Sequence, residues 1–161
     1  MNQFFKFVYS FTVVALTAFA SAYFVNNGVE LFYAQMMMPP MTPPNEVFSF
    51  IWSILYVLLI LSYYFILISP DNIKAQNASL LFLGQLFLQI LWSYLFFGTG
   101  YLLYALIVMF LLLWTVWQMI RTFASIDTKS AYLLYPYFAW LLMATYLNIG
   151  AVYLNGSQFI L

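Results

Sequence analysis

Residues 78–120 read ASLLFLGQLFLQILWSYLFF, GTG, YLLYALIVMFLLLWTVWQMI, without one charged side chain. A helix that crosses about 30 Å of hydrocarbon needs about 20 apolar residues, so this run is two crossings long. Gly98-Thr99-Gly100 punctuates it as a tight turn, giving spans at 78–97 and 101–120. Outward from there, charges fall only at Lys6, Glu30, Glu46, Asp71, Lys74, Arg121, Asp127 and Lys129. They leave three more uncharged apolar stretches, 7–25, 47–69 and 131–154, and Pro70-Asp71-Asn72 closes the second span. Lipid offers no partner to a backbone N–H or C=O, so such stretches must be helices. Barrel strands would alternate polar and apolar residues, and these do not. The expected architecture is all-α: one domain, residues 1–161, built as an integral membrane bundle of five transmembrane helices.

Composition agrees. The chain is 66% hydrophobic and 5% charged, whereas soluble domains run near half and a quarter. Formal net charge is zero, which offers nothing to a nucleic acid. With no cysteine and no histidine, disulfides, thiolate nucleophiles and the commonest metal ligands are excluded together. No carboxylate pair lies within a span, and Ser, Thr and Tyr have no His partner, so the residues offer no hydrolytic or redox constellation. Whether the protein is an enzyme stays open on these grounds. Intramembrane charges are the usual machinery of ion-coupled pumps, and their absence argues against an energised transporter.

With five crossings, Lys6, Lys74, Arg121 and Lys129 all fall on one side. The positive-inside rule then places the N-terminus in the cytoplasm and the C-terminus outside. Lys6, the following apolar run and the small residues between Ala18 and Ala22 also fit a signal peptide with a cleavage site. The length of that run favours a retained span.

Within the spans, polar and aromatic residues sort onto faces three, four, seven or eight apart. Trp52, Tyr56 and Tyr63 share a stripe on the second helix; Gln85, Gln89, Trp92 and Phe96 share one on the third; Tyr137, Trp140, Ala144 and Asn148 share one on the fifth. An amide facing lipid would go unpaired, so these stripes should face the bundle interior. Two readings stand side by side. Interior Gln and Asn serve as interhelical glue worth about 1 kcal/mol or less each; alternatively, three aromatic-plus-amide faces wall a pocket for a flat apolar ligand. Tyr101, Trp114 and Trp117 read as interfacial belt residues.

The connection 26–44 is also unusual. Asn26-Asn27-Gly28 is expected to end the first helix, and residues 36–44 read MMMPPMTPP. Long loops without structure of their own are functional lids or disordered segments, and both readings fit. Adaptable methionines and stiffening prolines suit a lid. Thr42 before Pro43 fits an N-cap with a first-turn proline, with Glu46 near the positive helix end.

Several of these segments together resemble one known family. Residues 39–44, PPMTPP, with Phe48, Trp52 and Leu55-Tyr56, are similar to the loop and second-helix signature of the translocator protein (tryptophan-rich sensory protein) family. Residues 92–98, WSYLFFG, resemble its third-helix ending; Leu133-Leu134-Tyr135-Pro136-Tyr137, Trp140, Ala144-Thr145, Leu147-Asn148 and Leu154-Asn155 resemble its fifth-helix pattern. The resemblance implies a multi-pass protein of, in bacteria, the inner membrane, usually a homodimer. Its members bind tetrapyrroles such as protoporphyrin IX and, in some cases, sterols and synthetic benzodiazepine-site ligands, with no required cofactor and no metal. The positions matching its ligand-lining residues are Tyr33, Trp52, Gln89, Trp92, Trp140, Ala144 and Asn148; Tyr56 and Tyr137 join them from the stripes. Light-dependent porphyrin degradation in some bacterial members implies a photochemical role at Trp52 and Trp140. Alternatives are a passive transporter of small apolar solutes or a non-catalytic scaffold. The sequence departs from the pattern where a loop tryptophan is Met41, a third-helix Asn is Gln89, a fourth-helix acidic residue is Met109 and a late fifth-helix Trp is Tyr153. No basic residue follows Lys129, which the weak sterol motif would require.

Overall fold

The computed structural model describes residues 2–31, 33–70 and 72–156. Six helices make five candidate membrane spans: α1 (Gln3–Leu31), α2 (Asn45–Ile68), α3 (Asn72–Ser93), α4 (Leu102–Ala124), and a fifth span made of α5 (Thr128–Tyr132) and α6 (Tyr135–Asn155). There is no strand among the described residues. Each span has the length and hydropathy to cross a bilayer, and the fold is the five-helix membrane bundle expected.

Several helix ends differ from expectation, each for a physical reason. Asn26-Asn27-Gly28 does not end α1, which continues to Leu31. Asn27 Nδ2 folds back to donate to the Tyr23 carbonyl oxygen at 2.7 Å, so its amide adds to the helix rather than breaking it. Gly28 is required by close approach. A Cβ there would stand 1.8 Å from the Phe97 carbonyl oxygen, so the missing side chain lets α1 press onto the end of α3. Thr42 is not the cap of α2. Its hydroxyl donates to the Pro39 carbonyl oxygen at 2.7 Å, and the helix begins at Asn45 after Pro44, with no side-chain cap. α3 begins at Asn72, ahead of its apolar run. It closes in a wide π turn, Tyr94–Gly98, before Gly100 takes a left-handed conformation at φ 71°. Asp71 of the Pro70-Asp71-Asn72 stop lies outside the described residues. The fifth span is split because Pro136 sits in the first turn of α6 and can supply no N–H to the preceding turn. Asp127 caps the short α5 by accepting from the Ser130 N–H at 2.8 Å.

An aromatic stack and a serine clasp mark the end where α2 turns into α3. Tyr63 stacks on Phe82 with centroids 4.0 Å apart, and Phe82 stacks on Phe123, which joins α2, α3 and α4 through aromatic faces. Ser62 and Ser130 donate to each other's carbonyl oxygens at 2.9 and 2.6 Å, clasping α2 to α5. Ser10 Oγ donates to the Ile60 carbonyl oxygen at 2.7 Å and ties α1 to α2. α4 buries Ala105, Met109, Leu112, Val116, Met119 and Phe123 on one helical stripe. Its other face exposes Ile107, Phe110, Leu111 and Trp114, as a lipid-facing helix should. Met109, at the position where the family pattern has an acidic residue, is fully buried in this apolar stripe.

Gly28→Ala should separate α1 from the π turn and destabilise the bundle by about 1–3 kcal/mol, the usual cost of overpacking. Gly84→Ala, where an added Cβ meets nothing within 4 Å, should not. Thermal unfolding of both variants in the same detergent checks the contrast.

Candidate functional site

At the opposite end from the aromatic stack the helices separate around a hollow with two adjoining lobes, of about 260 and 280 Å³. Val25, Asn26, Phe48, Ser49, Trp92 and Phe97 border both lobes. Together they reach the low end of the about 300–1,000 Å³ typical of small-molecule sites. The deeper lobe lies between α1, α2 and α3: Ala18, Ser21 and Ala22 face Trp52, Ser53 and Tyr56, with Gln89 and Ser93 at the back. The upper lobe adds Val29, Tyr33, Met38, Phe96, Ala144 and Leu147, so it reaches α6 and is roofed by the α1–α2 connection. Ala22 and Asn26 on α1, with Asn45, Ser49 and Ser53 on α2, are exposed as well as cavity-lining. The hollow therefore has a sideways mouth between α1 and α2.

The roof is held by side-chain amide chemistry. Asn155 Oδ1 accepts from the Met37 N–H at 2.8 Å while its Nδ2 donates to the Met37 carbonyl oxygen at 2.9 Å. One amide thus pairs with the loop backbone as a neighbouring strand would. The Tyr146 hydroxyl donates to the Pro40 carbonyl oxygen at 2.9 Å. Pro39 lies against Gly150, where a Cβ would stand 2.5 Å from its ring. Tyr33 opens a short 3₁₀ turn (Tyr33–Gln35) and rests on Phe97 with centroids 5.6 Å apart. Partial burial raises its phenol pKa above the ordinary value, so it stays neutral at physiological pH. Met41, standing where the family pattern has a tryptophan, is exposed and left-handed at φ 68°. It points away from any role as an aromatic lid contact.

Of the nine residues singled out from sequence, six line the hollow: Tyr33, Trp52, Tyr56, Gln89, Trp92 and Ala144. Tyr137, Trp140 and Asn148 do not border either lobe. Tyr137 is fully buried behind Trp52, with ring centroids 6.2 Å apart. Trp140 is separated from the hollow by Phe48, 5.7 Å away, and its indole nitrogen is buried without a partner. Asn148 has both its side-chain oxygen and its nitrogen engaged by protein: Trp92 Nε1 donates to its Oδ1 at 3.1 Å, and its Nδ2 donates to the Leu102 carbonyl oxygen at 3.0 Å. It joins α3, α4 and α6 at one point. Behind the deeper lobe, the Tyr137 hydroxyl donates toward Gln85 Oε1 at 2.9 Å and Gln89 Oε1 at 3.1 Å, and Gln89 Nε2 donates to the Tyr56 hydroxyl at 2.8 Å.

The expectation that the second, third and fifth spans surround the hollow needs correction on one point, because α1 supplies a whole wall. Ala18, Ala22 and Asn26 recur every four residues, with Ser21 and Val25 beside them. That spacing was visible in the sequence as a small-residue face. Phe48 and Ser49 were likewise missed, although they stand one turn before Trp52 on its own helix.

The model of the TspO/MBR family matches residues 10–154 of this chain. The chain belongs to the TspO/MBR family. It is 34% identical to "Tryptophan-rich protein TspO" of Archaeoglobus fulgidus over 94% of this chain and 97% of that protein. It is 31% identical to "Translocator protein" of Bos taurus over 83% and 80%, and 30% identical to "Tryptophan-rich sensory protein" of Cereibacter sphaeroides over 78% of each. The TspO/MBR match takes in α1 from Ser10 onward, which makes α1 part of the family's bundle, together with the wall it supplies.

Asn148→Ala should leave Trp92 Nε1 and the Leu102 carbonyl unpaired and lower stability by about 1–3 kcal/mol, read as an earlier unfolding midpoint in detergent. Asn155→Ala should instead release the roof, so that amide hydrogen exchange at residues 36–42 rises while exchange in α4 stays as in the parent.

Proposed function

We propose that this protein is a membrane sensor or carrier that binds a flat, apolar ligand of the tetrapyrrole class, with protoporphyrin IX as the type ligand, in the two-lobed hollow beneath the α1–α2 connection. The observation that carries the reading is the wall itself. Trp52, Trp92, Phe48 and Phe97 present ring faces and edges around one space, and aromatic rings favour stacked or edge contacts with a conjugated macrocycle. A chain from a family whose members carry the names tryptophan-rich sensory protein and translocator protein fits that role. The mouth between α1 and α2 lets a large ligand lie partly outside the hollow, with its charged edge at the amides of Asn26 and Asn45.

In the orientation given by the basic residues, the N-terminus is cytoplasmic, the protein sits in a bacterial inner membrane, and the roofed end faces outside. A ligand then enters from the outer half of the bilayer or the outer surface. The sideways mouth favours one related reading, passive carriage of apolar solutes taken directly from lipid. Any light-driven porphyrin loss starts at Trp52, which borders the hollow, with Trp140 one ring further away behind Phe48. An indole stacked on a photoexcited porphyrin can give up an electron or react with singlet oxygen. Loss of porphyrin under illumination by the purified protein is the measurement that makes it an enzyme.

The binding test is a titration of intrinsic tryptophan fluorescence with protoporphyrin IX in nanodiscs. Saturable quenching is expected, smaller in Trp52→Phe than in Trp140→Phe because only the former ring meets the ligand. Ala144→Leu, which fills the upper lobe, should weaken binding at least about tenfold, the effect of about 1.4 kcal/mol. Quenching that never saturates and ignores the filled lobe would remove the chamber from the account.

A further inference from the structure

The roof carries four methionines, Met36, Met37, Met38 and Met41, and the fold gives them unequal surroundings. Burial alternates along the run, as side chains do in extended chain. Met36 is 7% exposed and packs in the core, Met37 is 60% exposed, and half-buried Met38 borders the upper lobe. Met41, beyond the proline pair, is 79% exposed. The alternation is locked on both sides of Met38. Asn155 holds the backbone N–H and C=O of Met37, and buried Pro39 lies against Gly150 with no room for a Cβ between them. Met38 cannot swing outward without releasing one of these two contacts. Among the described residues it is the one methionine that borders either lobe.

A thioether is soft and apolar, and oxidation turns it into a polar sulfoxide. The ligand class proposed above supplies the oxidant, because a photoexcited porphyrin converts dioxygen to singlet oxygen. Made inside the hollow, singlet oxygen meets the roof from within, where Met38 is the sulfur that borders it. Methionine, singlet oxygen and one water give methionine sulfoxide and hydrogen peroxide. A sulfur–oxygen bond forms, sulfur loses two electrons, and dioxygen is reduced to peroxide with the two protons of the water. We propose that Met38 is an oxidation site through which the illuminated, loaded protein lowers its own affinity for the ligand. The sulfoxide oxygen is a strong hydrogen-bond acceptor, and a ligand closing over it in a lobe walled by Val29, Phe97 and Leu147 strips away its water. This rests on the reading of the hollow as a tetrapyrrole chamber. Exposed Met37 and Met41 serve as internal controls, since oxygen added to them leaves the walls of the lobe unchanged.

The experiment illuminates the protein in nanodiscs, loaded with protoporphyrin IX, in air. Excess free histidine in the buffer consumes singlet oxygen that leaves the hollow, and peptide mass spectrometry maps the sulfoxide. Met38 should gain one oxygen ahead of Met37 and Met41. Hydrogen peroxide in the dark should take Met41 and Met37 first, because they face water. After illumination and removal of the spent ligand, the parent should bind fresh porphyrin about tenfold more weakly, the effect of one polar group desolvated in the site. Met38→Leu, whatever its own dark affinity, should keep most of it after the same light dose. Sulfoxide at Met37 and Met41 with Met38 still reduced overturns the proposal, as does an oxidised Met38 with affinity unchanged. Equal losses in parent and Met38→Leu do the same, and so does Met38 leading in dark peroxide, which would trace its oxidation to general reactivity. Saturable dark binding alongside any of these results leaves the tetrapyrrole reading standing. Absence of saturable binding removes both, since no sensitiser is then held beside Met38.

Discussion

A side-chain amide inside a lipid bilayer has to find its partners within the protein, and the roofed half of this bundle is arranged around four that bond across to other segments, Gln85 through its oxygen alone. Gln85 and Gln89 on α3 meet Tyr137 of α6 and Tyr56 of α2. Asn148 joins Trp92 of α3 to the start of α4, and Asn155 grips the loop backbone at Met37. Apolar contact cannot specify such a geometry, because a helix face packs about as well against lipid as against another helix. Amides are directional, and each one here selects particular neighbours. Once Trp92 is pinned by Asn148 and Tyr56 by Gln89, the rings that border the hollow have little freedom to fall inward and fill it.

Amide glue and ligand site therefore turn out to be two ends of the same network rather than alternatives. Asn148 lies at the structural end, with both its oxygen and its nitrogen engaged by protein. Gln89 lies between, with protein behind it and the lobe in front. Tyr56 borders the lobe with Ser21 beside it. Helical spacing places such residues on interior faces but says nothing about which of them borders open space. That depends on the distances between helices, and nothing in the order of residues reports them.

The same limit explains which parts of the molecule were legible. Five spans follow from the positions of eight charges and a glycine turn, because the cost of charge and of bare backbone in lipid leaves few other solutions. The interior stripes on α2 and α3 are legible for the same reason. Helix ends were harder to read. Gly28 looked like a stop and is a point of contact with Phe97, and Thr42 looked like a cap and bonds to Pro39 instead; in both cases a partner distant or outside the local pattern decides the role. The wall from α1 was hidden by a competing meaning. Small residues between Ala18 and Ala22 suit a cleavage site, a close helix contact and a gap equally, and only the position of α2 opposite them shows a gap. Trp140 and Asn148 share a face with Ala144, yet Phe48 and Trp92 stand between them and the hollow.

The two ends of the bundle also differ in how they could move. Near the α2–α3 turn, Tyr63, Phe82 and Phe123 stack and the reciprocal serine pair clasps α2 to α5, and a closely packed interior transmits motion as a rigid body. At the roofed end α1 meets α2 across small side chains and open space, while Gly28 presses it against the backbone of Phe97. Widening the mouth therefore requires α2 to lean away from α1 about the Ser10–Ile60 contact, since α1 itself is held against α3. Such a tilt would draw Tyr56 from Gln89, so opening the mouth and breaking the hydrogen-bonded chain are mechanically one event.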